Sequence, residues 1–188
     1  MELEERITRL EDIEAIRYLQ AKYQRCLDTR DFDGVASCFA IDATSSYGNG
    51  KMSYVGRDAI VKFLCSVMSL RLPSAHMIHG GEIDINGTSA TGKWYLEDHL
   101  IGEPYCVELY GAAIYTVNYE KIDGAWFIKH IGYERQFEYV ERRRLFNFFS
   151  LRKKTFLDAK KKENPEELGP YNRYFYENYI KRKKKKQK

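Results

Sequence analysis

Leu3, Ile7, Leu10, Ile13, Ile16, Leu19, Tyr23 and Leu27 recur at steps of three and four, with mostly charged residues between them. That spacing predicts an amphipathic helix over 3–27. Asp31-Phe32-Asp33 opens a second, short helix through about Phe39. Gly56-Arg57-Asp58 opens a third, with Ile60, Val61, Phe63, Leu64, Val67 and Met68 as its apolar stripe. Between them, 43–47 and 52–55 read as a short hairpin around Gly48-Asn49-Gly50. After Pro73 the period falls to two. Strands are predicted at roughly 75–86, 89–102, 107–121 and 125–139, with hairpin turns at Asn86-Gly87 and Asp123-Gly124. Helices followed by an antiparallel meander make an α+β fold. The expected form is a cone: a curved antiparallel sheet wrapped around three N-terminal helices, enclosing a cavity, with a basic C-terminal extension.

One strand breaks its own pattern. Ala90, Gly92, Trp94, Leu96, Asp98 and Leu100 share a face, because side chains alternate along a strand. That face is apolar except for Asp98. A carboxylate withdrawn from water must be paired, hydrogen-bonded or protonated. In a pocket such a group is a candidate for function.

Other candidates gather around it. His76 and His79 on the preceding strand face opposite sides, so at most one looks inward. If His76 lies beside Asp98, the carboxylate accepts the imidazole N–H, fixes the tautomer and raises the basicity of the other nitrogen. Tyr23 lies on the apolar stripe of the first helix, and its hydroxyl needs a partner if buried. Asp28, five residues on, falls off that stripe, at the helix end or beyond it. Arg135 shares strand parity with Phe127, Ile131, Tyr133 and Phe137. Its guanidinium requires a carboxylate such as Asp98 or Asp28, or a ligand oxygen.

Composition narrows the picture. A chain of 188 residues, 44% hydrophobic, suits one core. Fifteen Tyr and ten Phe suit a cavity with apolar walls and hydroxyl handles. Residues 1–140 carry 14 Lys and Arg against 21 Asp and Glu, a net −7; residues 141–188 carry 17 against 6, a net +11. The basic character therefore belongs to the extension, which argues against a globular nucleic-acid surface. Cys26, Cys38, Cys65 and Cys106 form no Cys-x-x-Cys pair, so neither zinc nor a disulfide framework is expected. The opening Met-Glu-Leu-Glu-Glu-Arg is charged rather than a secretory leader, and no apolar run is long enough to span a bilayer. A reducing cytoplasm is the expected location. The organisation expected is a domain over 1–140 and a basic, aromatic extension over 141–188, its final lysines disordered by self-repulsion.

Several blocks resemble the bile acid 7α-dehydratases. They are Lys22-Tyr23-Gln24-Arg25-Cys26-Leu27-Asp28, Ser46-Tyr47-Gly48-Asn49-Gly50-Lys51, His76-Met77-Ile78-His79, the run from Ala90 to Asp98, Tyr119-Glu120-Lys121-Ile122-Asp123-Gly124 and Gly132-Tyr133-Glu134-Arg135. Those enzymes belong to the SnoaL-like group, relatives of scytalone dehydratase within the nuclear transport factor 2 fold. The resemblance covers roughly residues 3–139. It implies a catalytic set of Tyr23, His76 and Asp98, supported by Asp28 and Arg135. It implies loss of water from a hydroxylated 3-oxo-4-ene steroid or bile acid, free or as a coenzyme A thioester. His76 is then the general base oriented by Asp98, Tyr23 a hydrogen-bond donor, and no cofactor or metal is needed. It also implies a homotrimer. Two alternatives stand beside it: a ketosteroid-type isomerase, and a non-catalytic binding module of the same fold. The extension departs from the family pattern. Its basic clusters suit coenzyme A phosphates, a solvated helix with a loose tail, or weak attachment to anionic lipid.

Overall fold

A computed structural model describes residues 2–48, 50–102, 106–142 and 167–185. Helix α1 spans Leu3–Thr29, α2 Phe32–Ala36 and α3 Arg57–Val67. Strands are β1 Phe39–Tyr47, β2 Met52–Val55, β3 Ser74–Asn86, β4 Ser89–Gly102, β5 Val107–Ile122 and β6 Ala125–Arg142. A fourth helix, α4, runs over Pro170–Lys185.

The strands form one sheet in the order β2-β1-β6-β5-β4-β3. The meander from β3 to β6 is antiparallel, as expected, and so is the β1–β2 hairpin. The sheet as a whole is mixed, because β1 lies parallel to β6. The second helix is shorter than its pattern suggested, since Phe39 already starts β1. The β5–β6 turn has positive φ at both Asp123 and Gly124, the backbone that a two-residue hairpin needs. The β3–β4 turn is made by Gly87-Thr88 rather than Asn86-Gly87, because Asn86 still pairs with Ser89.

Helices α1 and α3 cover the inner face of the sheet. Ile16, Leu19, Tyr23 and Leu27 are buried, together with Ile60, Val61 and Leu64 of α3 and Leu96, Val117, Ile128 and Ile131 of the sheet. The first half of α1 departs from expectation. Leu3, Ile7 and Leu10 continue the apolar stripe but stay exposed, and the core begins only at Ile16. Asp12 marks the sheet's edge of the helix, bonding Lys121 Nζ and Trp126 Nε1 at 2.7 Å each.

Bulges bend the strands. Gly80, at φ 51°, interrupts β3 between His79 and Gly81, and Trp94 packs so tightly over Gly81 that a Cβ there would sit 2.5 Å from its ring. Two irregularities in the β5–β6 register reset the parity of β6, one between Asn118 and Tyr119, the other between Ala112 and Ala113. As a result Trp126, Ile128, Ile131, Tyr133 and Arg135 line the inner face, whereas Phe127 and Phe137 do not share it.

Part of the extension is built into the body. Phe175 is buried, its ring centroid 4.7 Å from that of Phe32. Asn172 donates to Asp31 at 3.0 Å and accepts the Phe32 N–H at 2.7 Å, while Asp33 receives the N–H groups of Tyr171 and Asn172. The tail expected to be disordered is helical through Lys185, and 186–188 lie outside the described residues. Apart from Arg142, the basic clusters of 142–162 also lie outside them.

Candidate active site

The last turn of α1 presents Asp28 to the start of β3. Asp28 Oδ2 accepts the backbone N–H of His76 at 2.8 Å. Its Oδ1 accepts the Ser74 hydroxyl at 2.8 Å and faces His76 Nδ1 at 2.6 Å. An ionised carboxylate can only accept. Nδ1 therefore carries the proton, and in the neutral ring Nε2 keeps its lone pair. Burial pushes the Asp28 carboxyl up, but the hydrogen bonds and charge of His76, with the Ser74 bond, outweigh it and hold the group below its ordinary value. The His76 side chain is only 9% exposed.

Asp98 stands directly across from His76, as their Cα pairing in β3 and β4 shows. It does not orient the imidazole. Arg135 holds it instead, through two bonds of 2.6 and 2.9 Å. Strand β5 lies between the two, and Gly111 is the residue opposite Asp98. A Cβ at Gly111 would sit 2.5 Å from Arg135 Nη1 and 2.7 Å from Asp98 Oδ1. The missing side chain is what lets the guanidinium reach across. Burial pulls the Arg135 guanidinium down, yet the Asp98 bonds and charge raise it on balance. Its cation also lies 5.1 Å from the centre of the Tyr133 ring.

Tyrosine hydroxyls complete the interior. Tyr23, Tyr47 and Tyr115 are all nearly inaccessible. Tyr23 packs edge-on against Phe39 at 5.5 Å, and the Tyr133 ring lies 6.0 Å from Tyr47 and 5.8 Å from Tyr115. Burial, reinforced by Tyr47 and Tyr115, pushes the Tyr23 phenol well above its ordinary value. The Tyr47 phenol is pushed up to about 12, again chiefly by burial. The hydroxyls of Tyr47 and Ser45 and both amide atoms of Gln24 are buried without a well-formed hydrogen bond among the described residues. Tyr47 lies beside Tyr23, and Tyr115 beside Gln24.

The five residues singled out from sequence thus fall into two pairs and a phenol: His76 with Asp28, Asp98 with Arg135, and Tyr23. His76 bonds Asp28 and not Asp98, the carboxylate expected from sequence to orient it. Arg30, Ser74, Tyr47, Tyr115, Gln24 and Gly111 were not singled out from sequence. Two of these left a signal: Gly111 is a glycine inside a strand, and Gln24 a polar residue next to a buried helix stripe. Among the described residues no three His, Cys, Asp or Glu side chains gather as metal ligands do, and no helix is long and apolar enough to cross a membrane.

Similar proteins agree with this architecture. A candidate scytalone dehydratase from Novosphingobium aromaticivorans superposes with a TM-score of 0.66 at 22% identity, over 73% of this chain and 92% of its own. A hexachlorocyclohexane dehydrochlorinase from Novosphingobium barchaimii gives 0.67 at 19%, over 78% and 99%. An NTF2-like protein with a cystatin-like fold from Novosphingobium aromaticivorans gives 0.61 at 19%, over 71% and 88%. At these identities the likeness speaks for the fold alone. The model of the SnoaL-like domain matches residues 8–132, two thirds of the chain, and the chain belongs to that family.

Proposed function

We propose that this protein is a hydro-lyase that removes water from a hydroxylated 3-oxo-4-ene steroid or bile acid. The observation that carries the reading is the His76–Asp28 pair, which leaves Nε2 as a base in an interior lined with buried tyrosine hydroxyls. His76 Nε2 takes the proton from the carbon next to the carbinol. The electron pair moves through the conjugated system onto the ketone oxygen, giving a dienolate. Its return expels the hydroxyl, which leaves as water with the proton from the imidazolium. Tyr23, with Tyr47 beside it, donates to the oxygen on which charge develops. A well-placed donor contributes about 3–4 kcal/mol at such a step. The chemistry asks for no metal and no cofactor.

Two of the structural neighbours are named for eliminations, of water in one and of hydrogen chloride in the other, and a lyase on this fold is in keeping with those names. The substrate class rests on the sequence blocks that resemble the bile acid 7α-dehydratases. Self-association as a homotrimer belongs to the same reading, on the outer sheet face where Met77, Tyr95, Phe137 and Tyr139 are exposed. The test is incubation with a panel of hydroxylated 3-oxo-4-ene steroids, free and as coenzyme A thioesters, followed by mass spectrometry. Loss of one water, abolished in His76→Ala, is expected. A product of unchanged mass would replace the lyase with an isomerase, and binding without any product would leave a binding module.

A further inference from the structure

Arg30 is buried to 1% exposure just past the end of α1, and its backbone is left-handed at φ 62°. That conformation is uncommon for a residue with a side chain. It persists where surrounding bonds over-determine it. Here they do. The guanidinium donates from Nη1 to the carbonyls of Leu27 at 3.2 Å and Asp28 at 2.6 Å, and to Ser74 Oγ at 2.9 Å. From Nη2 it reaches the carbonyls of Ser69, at 3.4 Å, and Leu72.

The Ser74 contact has a fixed direction. A guanidinium cannot accept, so Ser74 Oγ must accept from Arg30. Its single hydroxyl proton is then free for Asp28 Oδ1, 2.8 Å away. The result is a one-way chain: Arg30 to Ser74 to Asp28, met from the other side by His76 Nδ1–H. We propose that Arg30 is a positioning residue, which through Ser74 aims the Asp28 carboxylate and restrains the pull of that carboxylate on the His76 proton. The inference rests on the reading of His76 as the base.

The purpose follows from electrostatics. A carboxylate hydrogen-bonded to an imidazole favours the charged ring over the free base. A cation and a hydroxyl donor drawing on the same carboxylate lessen that effect. Among the described residues, Asp98 on β4 stands across from His76 and pairs with Arg135 on β6, whose Nε also meets Glu138 at 3.2 Å, so this group holds two carboxylates on one guanidinium. Asp28 is the carboxylate that bonds the imidazole itself, and Arg30 acts on it through Ser74. Burial pulls the Arg30 guanidinium down to about 10 against the opposing charge of Asp28, so it remains a cation at neutral pH.

The experiment is a titration of the full chain with labelled histidines, followed by NMR, the His76 signals being assigned by comparison with His76→Gln. In the unaltered protein the neutral His76 ring carries its proton on Nδ1. Ser74→Ala cuts the chain and leaves Asp28 in place, so the tautomer is kept and the midpoint rises by roughly half a unit to one unit. Arg30→Met raises it too, and Arg30→Lys, which keeps the charge, restores it toward the original value. If Arg30→Met does not fold, Ser74→Ala decides alone. A midpoint that stays or falls in Ser74→Ala overturns the inference. With a substrate in hand, the acid limb of kcat/KM moves up by the same amount while KM holds. A shifted titration without turnover of any steroid would count against the dehydratase reading only. Turnover without a shifted titration would count against Arg30 only.

Discussion

Arg135 grips Asp98 from two strands away, over the bare backbone of Gly111. The pair is bidentate, and the Asp98 side chain is only 6% exposed. Removing one partner of such a pair leaves a buried charge uncompensated, which costs about 3–5 kcal/mol. Arg135→Met should lose that much stability in urea unfolding. Gly111→Ala crowds the guanidinium but leaves it nearby, and a smaller loss is expected, roughly 1–3 kcal/mol. Combining Arg135→Met with Asp98→Leu should recover most of the loss. If the double variant is no better than Arg135→Met, the pair is not what stabilises this part of the sheet.

Asp28→Asn tests the tautomer. Asp28 Oδ2 faces the His76 backbone N–H, and Oδ1 faces the Ser74 hydroxyl and His76 Nδ1–H. An amide must turn its NH2 group toward one of these donor sets. Turned toward Nδ1, it moves the ring proton to Nε2 and removes the base. Loss of turnover by about 10³–10⁴ is expected, as for other His–carboxylate pairs. Substrate affinity should hold. Retention of more than a tenth of the rate would detach Asp28 from the chemistry.

Acid should weaken the fold through the same residue. The Asp28 carboxyl is depressed when folded, so as pH falls the unfolded chain takes up its proton first. Its contribution is fully present above the unfolded value of about 4 and disappears as pH drops through the folded value. Asp12 acts in the same sense: burial raises it, but its bonds to Lys121 and Trp126 lower it further. Between about pH 5 and about pH 2.5, stability measured in urea should fall less in Asp28→Asn than in the unaltered protein. Parallel curves would show that Asp28 is not depressed.

The layout of helices and strands was legible because period and turn chemistry are local. Steps of three and four gave α1 and α3, alternation gave β3 to β6, and Asp123-Gly124 marked its turn. Long-range pairing was not legible. Nothing local says that β1 runs parallel to β6. Phe127 and Phe137 were placed with Arg135 because strict alternation was assumed, and the register breaks in β6 overturn that. Of the five candidate side chains, His76 meets Asp28 and Asp98 meets Arg135, pairings that only distances reveal. His76 and Asp98 are true cross-strand neighbours, but the Gly111 gap assigns Asp98 to Arg135 and frees the imidazole for Asp28. Arg30 was invisible because a cation beside a helix end ordinarily points to solvent.

Helix α4 lies beyond the family match, and its attachment can be tested. Asn172 is buried and uses both ends of its amide, on Asp31 and on the Phe32 N–H. Asn172→Ala leaves a buried donor unpaired, for a loss of about 1–3 kcal/mol. Phe175→Ala empties a site against Phe32 and should lose about 3–5 kcal/mol. Thermal unfolding in one transition, lowered in both variants, is the expected record. Unchanged melting in both would mean that α4 is not held to the body in solution.

Tyr23 offers a test of the donor that does not depend on the base. Its hydroxyl is buried near those of Tyr47 and Tyr115, and burial first, then these neighbours, keep it protonated well past its ordinary value. As a donor it should therefore work unchanged across the neutral and alkaline range, and no alkaline loss of activity below about pH 10 should trace to it. Tyr23→Phe keeps the ring and its edge-on contact with Phe39, so stability should hold. The rate should fall by about 10²–10³ with little change in KM, because the bond strengthens only as charge reaches the substrate oxygen. A rise in KM at constant kcat would instead make Tyr23 a binding group that does not distinguish the transition state from the bound substrate.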